Sequence, residues 1–119
     1  MIEVRGFAAK SATTPLVPFT FQRREPGEHD VRIEILYSGV CHSDLHQAKG
    51  DWGNSVFPMV PGHEIVGRVV AVGANVEKLK VGDIAGVGCM VDSCRHCKAC
   101  KLDLEQYCEE GASLTYNSK

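Results

Sequence analysis

The chain has 119 residues, 44% of them hydrophobic, with 13 Lys and Arg against 15 Asp and Glu for a formal charge of -2. That length supports one modest core, and the charge excludes the clustered basic excess that nucleic acid or an anionic membrane surface requires. No run approaches the roughly 20 apolar residues of a bilayer span, residues 1–10 lack the apolar core of a secretory signal, and the chain reads as cytoplasmic.

In chain order, Ile2 to Ala9, Phe19 to Arg23 and Val31 to Ile35 place apolar residues at period two, which predicts half-buried antiparallel strands. Glu25-Pro26-Gly27-Glu28 supplies the turn between the second and third. Cys41 to Lys49 reads as a short helix ended by Gly50, and Asp51 to Pro61, with Gly53, Asn54, Pro58 and Pro61, as an exposed loop carrying Trp52. Glu64 to Val72 predicts a long strand that is bent or closely approached at Gly67, followed by a short strand over Ile84 to Gly88. No element is expected from Gly111 onward. At least five short strands and one or two short helices point to a mainly β, barrel-like domain instead of a parallel α/β sheet.

Five of the six cysteines lie between positions 89 and 108. Cys94, Cys97, Cys100 and Cys108 are separated by two, two and seven residues, so one irregular loop can wrap four thiolates tetrahedrally around an ion. Zinc suits this set without redox chemistry, and a filled shell makes the site structural. Disulfides or plain buried thiols are the bland reading, disfavoured by a reducing compartment. An iron-sulfur cluster would share the first three cysteines, but its fourth ligand belongs three residues on and before a Pro, whereas Cys108 comes after seven and precedes Glu109. Cys89 reads as a small buried hydrophobe and His96 as a solvent-facing residue.

Cys41, His42, Ser43, Asp44 and His46 crowd the start of the predicted helix, where Ser43 or Asp44 also suits a cap. Gly62-His63-Glu64 then opens the long strand, and His63 can face Cys41 to give two metal ligands. With Gly62, His63, Glu64, Gly67, Gly73 and Val76 the chain carries the zinc signature of the medium-chain alcohol dehydrogenases, which it resembles. The string Gly39 to His46 and the tract Pro58 to Arg68 are most similar to the cinnamyl-alcohol-dehydrogenase-like branch, which includes NADPH-dependent aldehyde reductases.

The resemblance implies a GroES-like, partly open β-barrel over 1–119, with a zinc lobe at 89–110 and the nucleotide-binding domain absent. It implies Cys41 and His63 as catalytic-zinc ligands, Glu64 as a carboxylate able to approach the metal, and Asp44 as the group orienting His63. Ser43 would pass the alcohol proton toward His46, His42 would lie near the pyrophosphate of NADP(H), and Trp52 would line the substrate pocket or simply pack. The small-molecule substrates would be primary alcohols and aldehydes, and the parent enzyme a homo-oligomer. The family's third protein ligand to this zinc, a Cys, would lie beyond Lys119, and Gly86-Val87-Gly88 lacks the third Gly of a dinucleotide fingerprint, so the chain alone is expected to be inactive. A zinc-stabilised protein-binding module of the same fold is the alternative, in which Cys41, Ser43, His46, His63 and Glu64 would have no task.

Overall fold

A computed structural model describes residues 1–118. Strand β1 (Ile2–Ala9) pairs antiparallel with β2 (Leu16–Arg23), from Ile2 opposite Arg23 to Ala9 opposite Leu16. The turn between them is held by Ser11 and Thr14, whose hydroxyl accepts from the Ser11 N–H at 2.9 Å. β2 starts three residues earlier than its alternation suggests, because Pro18 lies in a two-stranded sheet where an unpaired backbone edge tolerates it.

A second sheet has the order β3 (Val31–Gly39), β4 (Glu64–Val72), β5 (Ile84–Val87), all antiparallel. The register of β3 against β4 shifts between Arg32 and Ile33 and again between Ile35 and Tyr37. Each bulge moves the following side chains to the other face, so the sequence alternation stops at Ile35 while the ladder runs on to Gly39. Gly67 is closely approached by neighbouring chain, as its place in the strand predicts: a Cβ there would collide with the Glu34 carbonyl oxygen and with Ile33 Cγ2.

The two sheets flank an open groove of about 1150 Å³, lined by Ile2, Val4, Phe21 and Ile33 among others, so the barrel is partly open. Fully buried apolar residues are few: Ala8, Ala9, Met59 and Val69. Met59 anchors the loop that precedes β4, exchanging two backbone hydrogen bonds with Ala9 at 2.8 and 2.9 Å. Ile35, Leu36, Tyr37 and Val40 are exposed along one stretch of chain.

Helix α1 (His42–Lys49) follows β3 and ends at Gly50 in the left-handed conformation. A third, two-stranded sheet pairs β6 (Met90–Asp92) with β7 (Ser113–Leu114). β7 corrects the expectation of no element after Gly111: at two residues it is too short to leave a period in the sequence. Between β6 and β7 the chain forms the four-cysteine lobe, with helix α2 (Lys98–Lys101) and a 3₁₀ turn (Glu105–Tyr107). Among the described residues no helix is long and apolar enough to cross a membrane.

Candidate metal centres and the residues around them

The β3–β4 ladder explains how Cys41 and His63 meet. Gly39 sits opposite Glu64, so Cys41, two residues past the end of β3, and His63, one residue before β4, emerge at the same end of the sheet. The Cys41 Sγ and His63 Nε2 atoms lie 3.3 Å apart. Two ligands of one tetrahedral zinc, with Zn–S about 2.3 Å and Zn–N about 2.05 Å, should be separated by about 3.5 Å. The pair is therefore close to a shared coordination edge.

Asp44, only 6% exposed, organises both side chains. Its Oδ2 accepts from the Cys41 N–H at 3.0 Å, and its Oδ1 accepts from the Gly62 N–H at 2.9 Å and faces His63 Nδ1 at 3.2 Å. Gly62 has φ of 118°, a conformation that lets its N–H and the next residue's ring address one carboxylate. A His63 that donates from Nδ1 to Asp44 keeps its Nε2 lone pair toward Cys41, which is the tautomer a metal ligand needs. With its oxygens occupied in this way, Asp44 is placed to orient ligands instead of serving as one. Glu64 Oε1 is 4.0 Å from His63 Nε2, near enough to approach an ion held there.

The helix start is capped by Cys41 itself: its Sγ accepts from the Ser43 N–H at 3.3 Å, and Asp44 returns the bond to the Cys41 N–H. Ser43 is half-buried and His42 exposed. Among the described residues no hydrogen bond joins Ser43 to His46. His46 Nδ1 instead pairs with Asp51 Oδ2 at 2.9 Å, and its ring lies 5.2 Å from that of Trp52 and 6.2 Å from that of His42. Asp51 was not singled out in the sequence. Its place follows from the helix C-terminus, where the Asp51 N–H bonds the His46 carbonyl and the Gly50 N–H bonds that of Gln47. That Schellman-type ending folds residue 51 back over residue 46, and a helix-ending Gly followed by Asp was the available signal.

In the lobe, the sulfurs of Cys94, Cys97, Cys100 and Cys108 all lie within 4.8 Å of one another. Cys94 and Cys100 are 3.8 Å apart, far beyond a disulfide bond and equal to the edge of about 3.8 Å that a tetrahedron of Zn–S bonds near 2.3 Å requires. Backbone N–H groups of Cys94, Cys97, Cys100 and Glu109 all point at sulfur, at 3.3 to 3.5 Å. Such donors favour thiolates. The N–H groups of Glu109 and Cys100 bring the Cys97 thiol down to about 6. Cys94 is pushed up to about 11: the His96 N–H works against the rise, but burial and the facing Cys108 and Cys97 sulfurs outweigh it. Opposed shifts are what negative sulfurs in contact impose on each other, and a divalent cation relieves that conflict. The donor set therefore fits zinc.

His96 lies outside the sulfur shell. It is exposed, with Nδ1 2.8 Å from the Cys94 carbonyl oxygen and Nε2 2.8 Å from Glu110 Oε1. Cys89 is exposed, which corrects its reading as a buried hydrophobe: it lies just before the short β6, whose Val91 and Asp92 are exposed as well.

Residues 27–117 match the family described as alcohol dehydrogenase GroES-like domain. The chain belongs to that family. This GroES-like domain is 57% identical over 117 residues to aldehyde reductase YahK of Escherichia coli (strain K12), an alignment covering 98% of the chain and 33% of the relative. It is 55% identical over 118 residues to NADP-dependent alcohol dehydrogenase C of Mycobacterium tuberculosis (strain CDC 1551 / Oshkosh), covering 99% and 34%. Among solved structures it is similar to CAD from Helicobacter pylori complexed with NADP(H), with a TM-score of 0.94, 45% identity, and coverage of 98% of this chain and 33% of that one. The GroES-like domain thus spans about a third of the length of the curated relatives it matches.

Proposed function

We propose that this GroES-like domain is the catalytic part of a zinc-dependent oxidoreductase that interconverts alcohols and aldehydes with NADP(H). The observation that carries the reading is the Cys41 and His63 pair, 3.3 Å apart and locked by the buried Asp44. A protein-binding module of the same fold has no use for that arrangement. Residues 1–119 form one domain with its zinc lobe at 89–110; in an enzyme of the relatives' length a separate domain binds the cofactor, and a further zinc ligand lies later in the sequence.

Zinc, when bound at Cys41 and His63, supplies a Lewis acid at the substrate oxygen. Asp44 holds the His63 proton on Nδ1 and fixes the ring. Ser43 carries the hydroxyl that exchanges the substrate proton; His46, not hydrogen-bonded to Ser43 among the described residues, is the acceptor further along at Nε2, because its Nδ1 is engaged by Asp51. Glu64 offers a half-exposed carboxylate near the ligand pair, and His42, exposed at the start of α1, is offered to the cofactor pyrophosphate. The Trp52 ring, 5.2 Å from that of His46, flanks the acceptor. The substrate is a small alcohol or aldehyde, the parent enzyme is a cytoplasmic homo-oligomer, and the exposed apolar run at Ile35, Leu36, Tyr37 and Val40 is surface for contact with the rest of such an enzyme.

The test joins this chain in frame to the remaining two thirds of the Escherichia coli aldehyde reductase. The chimera is expected to reduce aldehydes with NADPH, to lose that activity in His63→Ala, and to keep its fold; activity untouched by His63→Ala contradicts the reading. The 119-residue chain alone is expected to show no turnover.

A further inference from the structure

The segment that leaves the four-cysteine lobe runs directly to the candidate catalytic residues. β7 closes the base of the lobe against β6, and Thr115 continues the pairing, its N–H donating to the Cys89 carbonyl at 3.0 Å and its hydroxyl to that of Gly88. The next residue, Tyr116, lays its ring 4.8 Å from the ring of His63. Asn117 then reaches the loop that bears Asp51 and Trp52: its Oδ1 accepts from the Val56 N–H at 2.8 Å and its Nδ2 donates to the Asn54 carbonyl at 3.1 Å. Asn117 has φ of 53°, a left-handed conformation that Asn tolerates better than other side-chain-bearing residues and that aims both ends of its amide at the loop.

The same loop is held from the opposite side by α1. Gln47, 2% exposed, donates to Asn54 Oδ1 at 3.0 Å and to Ser55 Oγ at 2.8 Å. One clamp therefore depends only on the helix, and the other on the strand that exits the lobe.

We propose that Asn117, with Tyr116 beside it, is a positioning residue through which the filled four-cysteine lobe fixes the Asp51–Trp52 loop and the His63 ring. The inference rests on the reading of the lobe as a zinc site. It gives that zinc a consequence at the other centre: ordering β6 and β7 orders the two residues that follow β7, and these immobilise the side chains around His46 and His63.

Trp52 is the single tryptophan, so its fluorescence reports the loop. Metal-free chain is titrated with one equivalent of zinc, and acrylamide quenching of Trp52 is measured beside the zinc content of the same sample. In the wild-type chain, zinc uptake is expected to reduce quenching. In Asn117→Ala the zinc content should be unchanged and the drop in quenching lost, and Asn117→Asp, which keeps the acceptor for the Val56 N–H, should recover part of it. Cys100→Ser, whose lobe cannot close, should show no drop. A full response in Asn117→Ala, or one that persists in Cys100→Ser, overturns the proposal. Bound zinc in the wild-type lobe with a silent Trp52 overturns it while leaving the lobe reading intact, whereas no zinc uptake at all overturns both.

Discussion

The two sulfur-bearing centres differ in how the chain builds them. In the lobe, four cysteines within fifteen consecutive positions converge through one irregular loop, backbone N–H groups tune their sulfurs, and the shell is complete with nothing from elsewhere. At Cys41 and His63, two residues from different elements meet because a β ladder brings their chain ends together, and a buried carboxylate does the orienting. A closed local shell stabilises; a partial shell built across the fold leaves positions for chemistry. On the proposed reading, one metal preference would serve two opposite roles, decided by how many ligands the local chain provides.

The largest effect that sharpens this contrast is expected from Cys100→Ser. Structural zinc binding is worth on the order of 10 kcal/mol in small peptides, so the variant should lose the lobe metal and the hydrogen-exchange protection of residues 94–108 while β1 to β5 persist. Loss of the whole fold instead would erase the distinction between the regions. Next is Asp44→Asn, whose amide cannot accept from all three of its donors. It should destabilise the domain by about 1–3 kcal/mol in denaturant unfolding, and weaken metal at Cys41 and His63 by roughly 10- to 100-fold while the lobe affinity stays constant.

The lobe thiols give a pH signature in the metal-free chain. Cys97 is held at about 6, below its ordinary value of 9.0, so the stability its thiolate contributes is fully present above that ordinary value and is lost as pH falls through about 6. Cys94, pushed up to about 11, behaves oppositely, contributing as a neutral thiol until pH rises through about 11. Peptide mapping after brief iodoacetamide treatment at neutral pH should find Cys97 alkylated ahead of Cys94; the reverse order would contradict the assigned N–H donors. The smallest effect is His96→Ala, which should leave zinc content unchanged. The His96 pKa is raised by the Cys94 carbonyl and by Glu110, so its slight stabilisation is present below its ordinary value and is lost as pH rises through the folded one, which melting curves across that range would detect.

The sequence carried the lobe almost entirely, because its ligands are neighbours and their spacing is itself the geometry. Strands with clean alternation, such as β1, and the close approach at Gly67 were legible for the same local reasons. What lay hidden depends on contacts between distant segments or on register. The bulges concealed the end of β3, the shortness of β7 removed its period, and the exposure of Cys89 follows from its place at the edge of the short β6–β7 ribbon. Cys41 and His63 could be named as partners and Asp44 as the group that orients His63, but the bond from the Cys41 N–H to that same carboxylate is seen only in the fold. Asp51 looked like an ordinary loop residue because its contact with His46 is made by the backbone geometry of a helix end.

The most direct test of the contrast between a closed and a partial shell is X-ray absorption at the zinc edge, on chain purified without added metal and with its zinc counted. One tightly held zinc with four sulfur neighbours at about 2.3 Å is expected. Iron in place of zinc, or a shell dominated by nitrogen and oxygen, would contradict it.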